Sequence, residues 1–171
     1  MTQTLRRVHK LLAGVDPPAT GAYTASSVTA LAGLYVTLGW ANVGDVHKLA
    51  GNFFPLVIID IPDNAESWDP NNNGISYRRM RVQFSLLTRG EGTRIASLYG
   101  TGSILDWYDK VHGVLYGSPS ARLLTDVGVP WADESSVPQN MEDLISDEET
   151  GRQRTRLRRW EIEYRREEVD Y

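Results

Sequence analysis

The stretch I-S-Y-R-R-M-R-V-Q-F-S-L-L, Ile75–Leu87, decides the fold. Met80, Val82, Phe84 and Leu86 alternate with Arg79, Arg81, Gln83 and Ser85, so one set faces a core and the other faces outward, as a half-exposed strand requires. The basic outer set fits either a solvated sheet face or a subunit contact. Upstream, F-F-P-L-V-I-I-D-I (Phe53–Ile61) is a continuous, β-branched apolar run bounded by Pro62, the pattern of a strand buried on both faces. Pro55 belongs at its beginning, because proline cannot donate to a ladder. Between the two, D-N-A-E-S-W-D-P-N-N-N-G (Asp63–Gly74) is rich in turn formers and has little to bury, which predicts a surface excursion.

Downstream, a loop with Gly90, Gly92, Gly100 and Gly102 leads to Ser103, a good helix cap. The helix it starts runs to Tyr116 with Ile104, Trp107, Val111, Val114 and Leu115 as its apolar stripe, and Gly117 and Pro119 stop it. Trp107 and Tyr108 read as core residues. A second long strand is expected over Thr155–Glu167, with Trp160, Ile162 and Tyr164 on the buried face. Leu157 falls out of step with Trp160, which suggests a β-bulge between them.

The N-terminal third is less regular. Thr4 can cap a short helix carrying Leu5, Val8, Leu11 and Leu12, ended by Gly14 and Pro17-Pro18. Residues Pro17–Gly44 carry no charge and follow Arg6, Arg7 and Lys10, which raises a signal peptide or membrane span as a reading. Ser, Thr, Gly and the Pro-Pro pair keep the stretch below the roughly 18–20 strongly apolar residues a spanning helix needs. Val28, Leu31, Leu34, Tyr35 and Leu38 instead predict one face of a buried helix, which Gly33 and Gly39 weaken.

Together these elements predict an α+β fold: a mostly antiparallel sheet of about four strands against two or three helices. With 171 residues the chain suits a single domain, 1–171. It contains no cysteine, which removes disulfides, thiolate metal sites and a cysteine nucleophile and fits a reducing compartment. The net charge of −4 gives no overall attraction to nucleic acid or anionic lipid.

Charge is nevertheless strongly segregated. A long acidic connection, residues 127–151, carries Asp133, Glu134, Glu142, Asp143, Asp147, Glu148 and Glu149, and connections of that length are usually functional or disordered. Arg152, Arg154, Arg156, Arg158 and Arg159 follow at once. The two blocks can pair within the chain or with a neighbouring copy, or stay solvated. The candidate subunit or partner interface is therefore Arg79, Arg81, Glu142, Asp143, Asp147, Glu148, Glu149, Arg152, Arg154, Arg156, Arg158 and Arg159. Alternating arginines also suit phosphate contacts, though the acidic block beside them argues against a nucleic-acid surface. Only three of the 18 basic residues are lysines, which favours planar, bidentate ion pairing, or reflects base composition alone.

No phosphate loop, nucleophile elbow or zincin motif is present, and Gly90-Glu91-Gly92 lacks the third glycine of a dinucleotide fingerprint. His9, His47 and His112 have no ligand spacing. The strongest enzyme reading is a divalent-metal nuclease using Asp60 or Asp63 with Glu161 or Glu163. Against it, the last strand has no lysine after its acidic residues, and Glu161 and Glu163 fall on the outward face. The expectation is a non-enzyme without cofactor or metal.

The order of an N-terminal helix, the buried strand V-I-I-D-I, the strand M-R-V-Q-F-S-L-L, the helix I-L-D-W-Y-D-K-V-H-G-V-L-Y and the strand R-W-E-I-E-Y resembles the tail terminator (tail completion) proteins of long-tailed bacteriophages and related gene-transfer particles. It covers Phe54–Tyr116 and Arg154–Arg166 and rests on pattern and order. The resemblance implies a virion protein of the tail or neck, assembled in the host cytoplasm. Its copies would form a ring, expected to be a hexamer, that stops tail-tube polymerisation, contacts the tube protein and the head connector, adaptor or stopper, and lets DNA pass. Another neck component, such as an adaptor or head-closure protein, is the alternative in the same class.

Overall fold

The computed structural model describes residues 2–18, 23–39, 53–62, 66–69, 75–91, 100–116, 131–134, 139–145 and 153–169. In chain order these are α1 (Thr2–Ala13), β1 (Thr24–Ala25), a 3-10 turn (Thr29–Leu31), β2 (Tyr35–Leu38), β3 (Leu56–Asp60), β4 (Glu66–Asp69), β5 (Ile75–Glu91), α2 (Ile104–Tyr116), β6 (Trp131–Glu134), β7 (Gln139–Ile145) and β8 (Gln153–Val169). The fold is α+β. Its sheet is larger than expected, with eight strands among the described residues, all antiparallel neighbours except β2 and β3.

Two 17-residue strands, β5 and β8, pair along their whole length and form the spine. Each is flanked by two short strands laid end to end: β3 and β4 beside β5, and β6 and β7 beside β8. β2 and then β1 extend the sheet beyond β3. The helices pack on one face. Val8, Leu11 and Leu12 of α1 and Ile104, Val111 and Leu115 of α2 bury against Val36, Val57, Ile59, Val82, Phe84, Leu86, Trp160 and Ile162. The opposite face of the same strands holds a second, smaller cluster of Leu56, Ile58, Leu87 and Leu157, edged by Tyr23, Tyr35 and Phe54. β3 is thus buried on both faces, as its unbroken apolar run predicts.

The helix ends follow their local chemistry. Ser103 Oγ accepts the Asp106 amide at 3.3 Å, and the Asp106 carboxylate accepts the Gly102 amide at 2.7 Å and Lys110 Nζ at 2.8 Å. The Lys110 hydrogen bond, aided by the Gly102 amide, holds the Asp106 carboxyl below its ordinary value. At the end of α1, Gly14 adopts φ +77° and donates to Lys10 O at 2.8 Å. Ser26 Oγ and Ser27 Oγ then donate to the terminal carbonyls of Leu12 and Ala13 at 2.6 and 3.1 Å. Thr4 is not the cap: the helix begins at Thr2 and Thr4 is buried within it.

Other local expectations are also corrected. Residues 28–38 form the 3-10 turn and β2 instead of a helix, because Gly33 (φ +92°) and Gly39 (φ +97°) occupy left-handed backbone that breaks helical continuity. Leu31, Leu34 and Val36 still reach the core, so the segment is buried as expected but with a different period. Within the segment expected to be a surface excursion, Glu66–Asp69 pairs with Tyr77–Met80. The acidic connection contains β6 and β7, both paired to β8, and its remaining residues lie outside the described ones. No bulge interrupts β8 against β5; the irregularity lies on β7, between Met141 and Leu144.

Candidate assembly surface

The β5–β8 register determines which charges share a face. Arg81 is opposite Glu163, Gln83 opposite Glu161 and Ser85 opposite Arg159, while Asp60 of β3 is level with Gln83. Parity places all of them on the face away from the helices, and the side chains of Asp60, Arg81, Gln83, Arg159, Glu161 and Glu163 are half-buried there. Arg81 Nη1 lies 3.5 Å from Glu161 Oε2, and Arg159 Nε donates to Ser85 Oγ at 3.3 Å. Cross-strand opposite charges of this kind stabilise a pair modestly. At Arg81 the outer face of β5, basic by itself, is therefore balanced once β8 lies beside it. The sequence could not show this, because the balancing carboxylates are 80 residues away.

The arginine block divides between the two faces. Without a bulge, Arg156 and Arg158 share the helix-covered face with Trp160, while Arg159 joins the open one. Arg156 is 5% exposed. The Arg158 guanidinium carbon sits 4.1 Å above the Tyr108 ring of α2, which in turn meets Trp160 edge-on at 5.0 Å. Trp160 stacks on Phe84 with ring centroids 5.3 Å apart. Leu157, out of step by its spacing alone, fills the second cluster on the opposite face. Arg156 and Arg158, named as candidate interface residues, are thus turned to the helix-covered face.

On the far side of β8, the β7 irregularity sets two residues, Glu142 and Asp143, in register with the single residue Arg156. The backbones of the acidic and basic blocks therefore run side by side at this point. The backbone of Arg79 pairs with Arg165 and Ser67, and that of Arg154 with Gly90 and Ile145. Asp147, Glu148, Glu149 and Arg152 lie outside the described residues.

One feature of the open face was missed in the sequence. Tyr23 and Tyr35 meet Phe53 at centroid distances of 5.3 and 5.4 Å, and the Arg89 guanidinium carbon sits 4.3 Å over the Phe54 ring. Burial lowers the Arg89 pKa from its ordinary value. The Phe53-Phe54 pair entering β3 was the available signal. The open face thus has an aromatic end and an ionic middle.

Among the described residues the metal-nuclease constellation does not come together. Asp60 and Glu161 sit on strands separated by β5, Glu161 already contacts Arg81, and Asp63 lies outside the described residues. Among the described residues no group of three His, Cys, Asp or Glu side chains could hold a metal ion. His9 is fully buried on α1, with Nδ1 3.2 Å from Val15 O, and burial lowers its pKa. His112 meets Tyr108 and Tyr116 in tilted ring contacts at 5.5 and 4.4 Å; His47 is not among the described residues. No helix among the described residues is long and apolar enough to cross a membrane. A scan of protein-family models and a search of curated proteins find no match to this chain.

Proposed function

We propose that the chain is a structural subunit of a phage-like particle, a tail terminator whose copies form a ring at the head-proximal end of the tail tube. The observation that carries this reading is the mismatch, among the described residues, between the sheet and its two helices. At about 3.3 Å per residue, β5 and β8 each run roughly 55 Å. At 1.5 Å per residue, α1 and α2 are only about 18–20 Å long. These two helices, both on one face, span only part of that length, as in a subunit that completes its burial in an assembly.

The order of α1, β3, β5, α2 and β8 is also the order on which the family resemblance rests. The open face interleaves acidic and basic side chains, and the covered face takes up arginines that a phosphate-tracking surface would present, which favours protein partners over nucleic acid. A terminator needs no catalytic group: one surface must match the last tube ring and another must refuse further tube subunits.

Light scattering coupled to size-exclusion chromatography, with single-particle imaging of large species, tests the proposal with and without tail-tube protein. Rings formed alone or on addition of tube protein, together with shortened tubes, are the expected result. A chain that neither forms rings nor changes tube length overturns it.

A further inference from the structure

We propose that α1 is an acid-released latch: a proton taken up by the His9 ring frees this helix from the sheet while the β5–β8 spine stays paired. The inference does not depend on the terminator reading. Val15 O is a carbonyl and can only accept, so the ring nitrogen 3.2 Å from it, Nδ1, is the one that carries hydrogen. Nε2 is then the bare nitrogen, and it is buried without a hydrogen-bond partner in a residue of 0% exposure. A second proton has only that atom to go to. There it would set a charge and an unreceived N–H beside the apolar layer to which Val8, Leu11 and Leu12 belong.

The charged groups around α1 do not offset this cost. Arg6, Arg7 and Lys10 share its element and have the wrong sign. Asp16, just past the helix, favours a charged ring, but its side chain is 74% accessible and its carboxylate is held by Lys10 Nζ at 3.1 Å. The helix packs chiefly on β2, β3 and α2. Tyr35 of β2 and Asp60 of β3 stand on the opposite face of the sheet by their register with Leu56 and Gln83. On α2, Asp106 and Lys110 pair with each other at 2.8 Å, Asp109 is exposed, Tyr108 lies against Arg158 and Trp160 of β8, and His112 and Tyr116 continue its row of rings. Burial outweighs the Val15 carbonyl and Asp16, the two influences that favour the charged form at His9.

The place of α1 in the fold decides what moves. It is fastened at its C-terminal end by the Ser26 and Ser27 hydroxyls on the Leu12 and Ala13 carbonyls, and by His9 itself on Val15. Its packing partners β2 and β3 are strands of four and five residues, whereas the 17-residue ladder of β5 and β8 closes without it. Hydrating His9 therefore needs only the small unit at the β2 end to open, and such units open at lower free energy than the whole domain.

Hydrogen exchange read by mass spectrometry, corrected for the intrinsic pH dependence of amide exchange, tests this. From about pH 7.5 to about pH 5 the opening constant of the Leu5–Ala13 amides should rise severalfold, with a ceiling of about thirtyfold for one proton bound at the free histidine value of about 6.5. At the lower pH the β5 and β8 amides should still open at least about tenfold less often than those of α1. His9→Gln, whose amide can still donate to Val15 O, should give α1 the same opening constant at both pH values. A single opening constant shared by α1 and the spine, an α1 constant that does not change with pH, or a His9→Gln protein that responds like wild type overturns the proposal. The ring nitrogen chemical shifts of the wild type near neutral pH give a check that needs no variant: hydrogen on Nδ1 is expected, and hydrogen on Nε2 overturns the latch.

Discussion

Arg158 and Arg159 are neighbours in sequence and opposites in environment, and they represent the two faces of one ribbon. Arg158 lies on the helix-covered face with its guanidinium over Tyr108, in the layer built on Trp160 and Phe84. Arg159 lies on the open face, donating to Ser85 among side chains of mixed charge. The covered face derives its energy from apolar area, which is insensitive to salt. The open face has weak, screened pairs that matter little to one chain and acquire value when a partner removes them from water. On the proposed reading, fold and assembly are thus written in alternate residues of the same two strands.

The sharpest way to break this comparison is to empty the covered face. Trp160 is fully buried between Phe84 and Tyr108, so Trp160→Ala should cost about 3–5 kcal/mol of stability in denaturant unfolding. Glu161→Ala, one residue along on the open face, should change it by no more than about 1 kcal/mol. Equal losses would show that the open face also holds the monomer together.

Next in size is the junction that closes α1. At Gly14 a side chain meets two obstacles: φ is +77°, and a Cβ would collide with Ser27 Oγ, the hydroxyl that donates to Ala13 O. Gly14→Ala should destabilise by roughly 1–3 kcal/mol, read as a lowered melting temperature. Ser27→Ala/Gly14→Ala should recover part of that loss, because it removes the clash and leaves the backbone strain and the lost Ser27–Ala13 hydrogen bond.

His9 adds a pH dependence on the covered side. Its folded-state pKa is lowered, mainly by burial, so the unfolded chain binds the proton more readily. Stability from this group is complete above the unfolded value of about 6.5 and declines as pH falls from there toward the lowered folded value. Chemical denaturation from about pH 7.5 to about pH 5 should show that decline, and His9→Gln should flatten it. An identical slope in the variant would assign the dependence to other groups.

Sequence reading succeeded where period and burial agree. Val82 to Leu86 and Trp160 to Ile162 alternate, β3 is apolar from Leu56 to Ile59, and the Ser103 cap is a local signal. It failed where the deciding partner is distant. Leu31, Leu34 and Val36 are buried in a strand and turn, yet their spacing also fits a helix, and only the left-handed Gly33 and Gly39 tell the two apart. Leu157 looked like evidence for a bulge because nothing nearby revealed the second cluster with Leu56, Ile58 and Leu87. The same blindness put Arg156 and Arg158 among the candidate interface residues. A strand position assigns a side chain to a face, and only the opposite layer says what that face is.

The smallest expected effects give the finest comparison. Arg158→Ala removes a cation–π contact in a partly desolvated site and should cost about 1 kcal/mol, whereas Arg159→Ala loses one half-exposed hydrogen bond, about 0.5 kcal/mol. Smaller still is the Arg81–Glu161 pair, 3.5 Å apart with the arginine side chain 37% accessible. A double-mutant cycle with Arg81→Ala and Glu161→Ala, measured on monomer at low concentration, should give a coupling of about 0.2–0.5 kcal/mol that fades at high salt. If the open face exists for assembly, the same cycle measured on association should give a larger coupling that survives more salt, because a partner excludes the solvent that screens the pair. Equal couplings in the two measurements would mean that these charges stay solvated in whatever the protein builds.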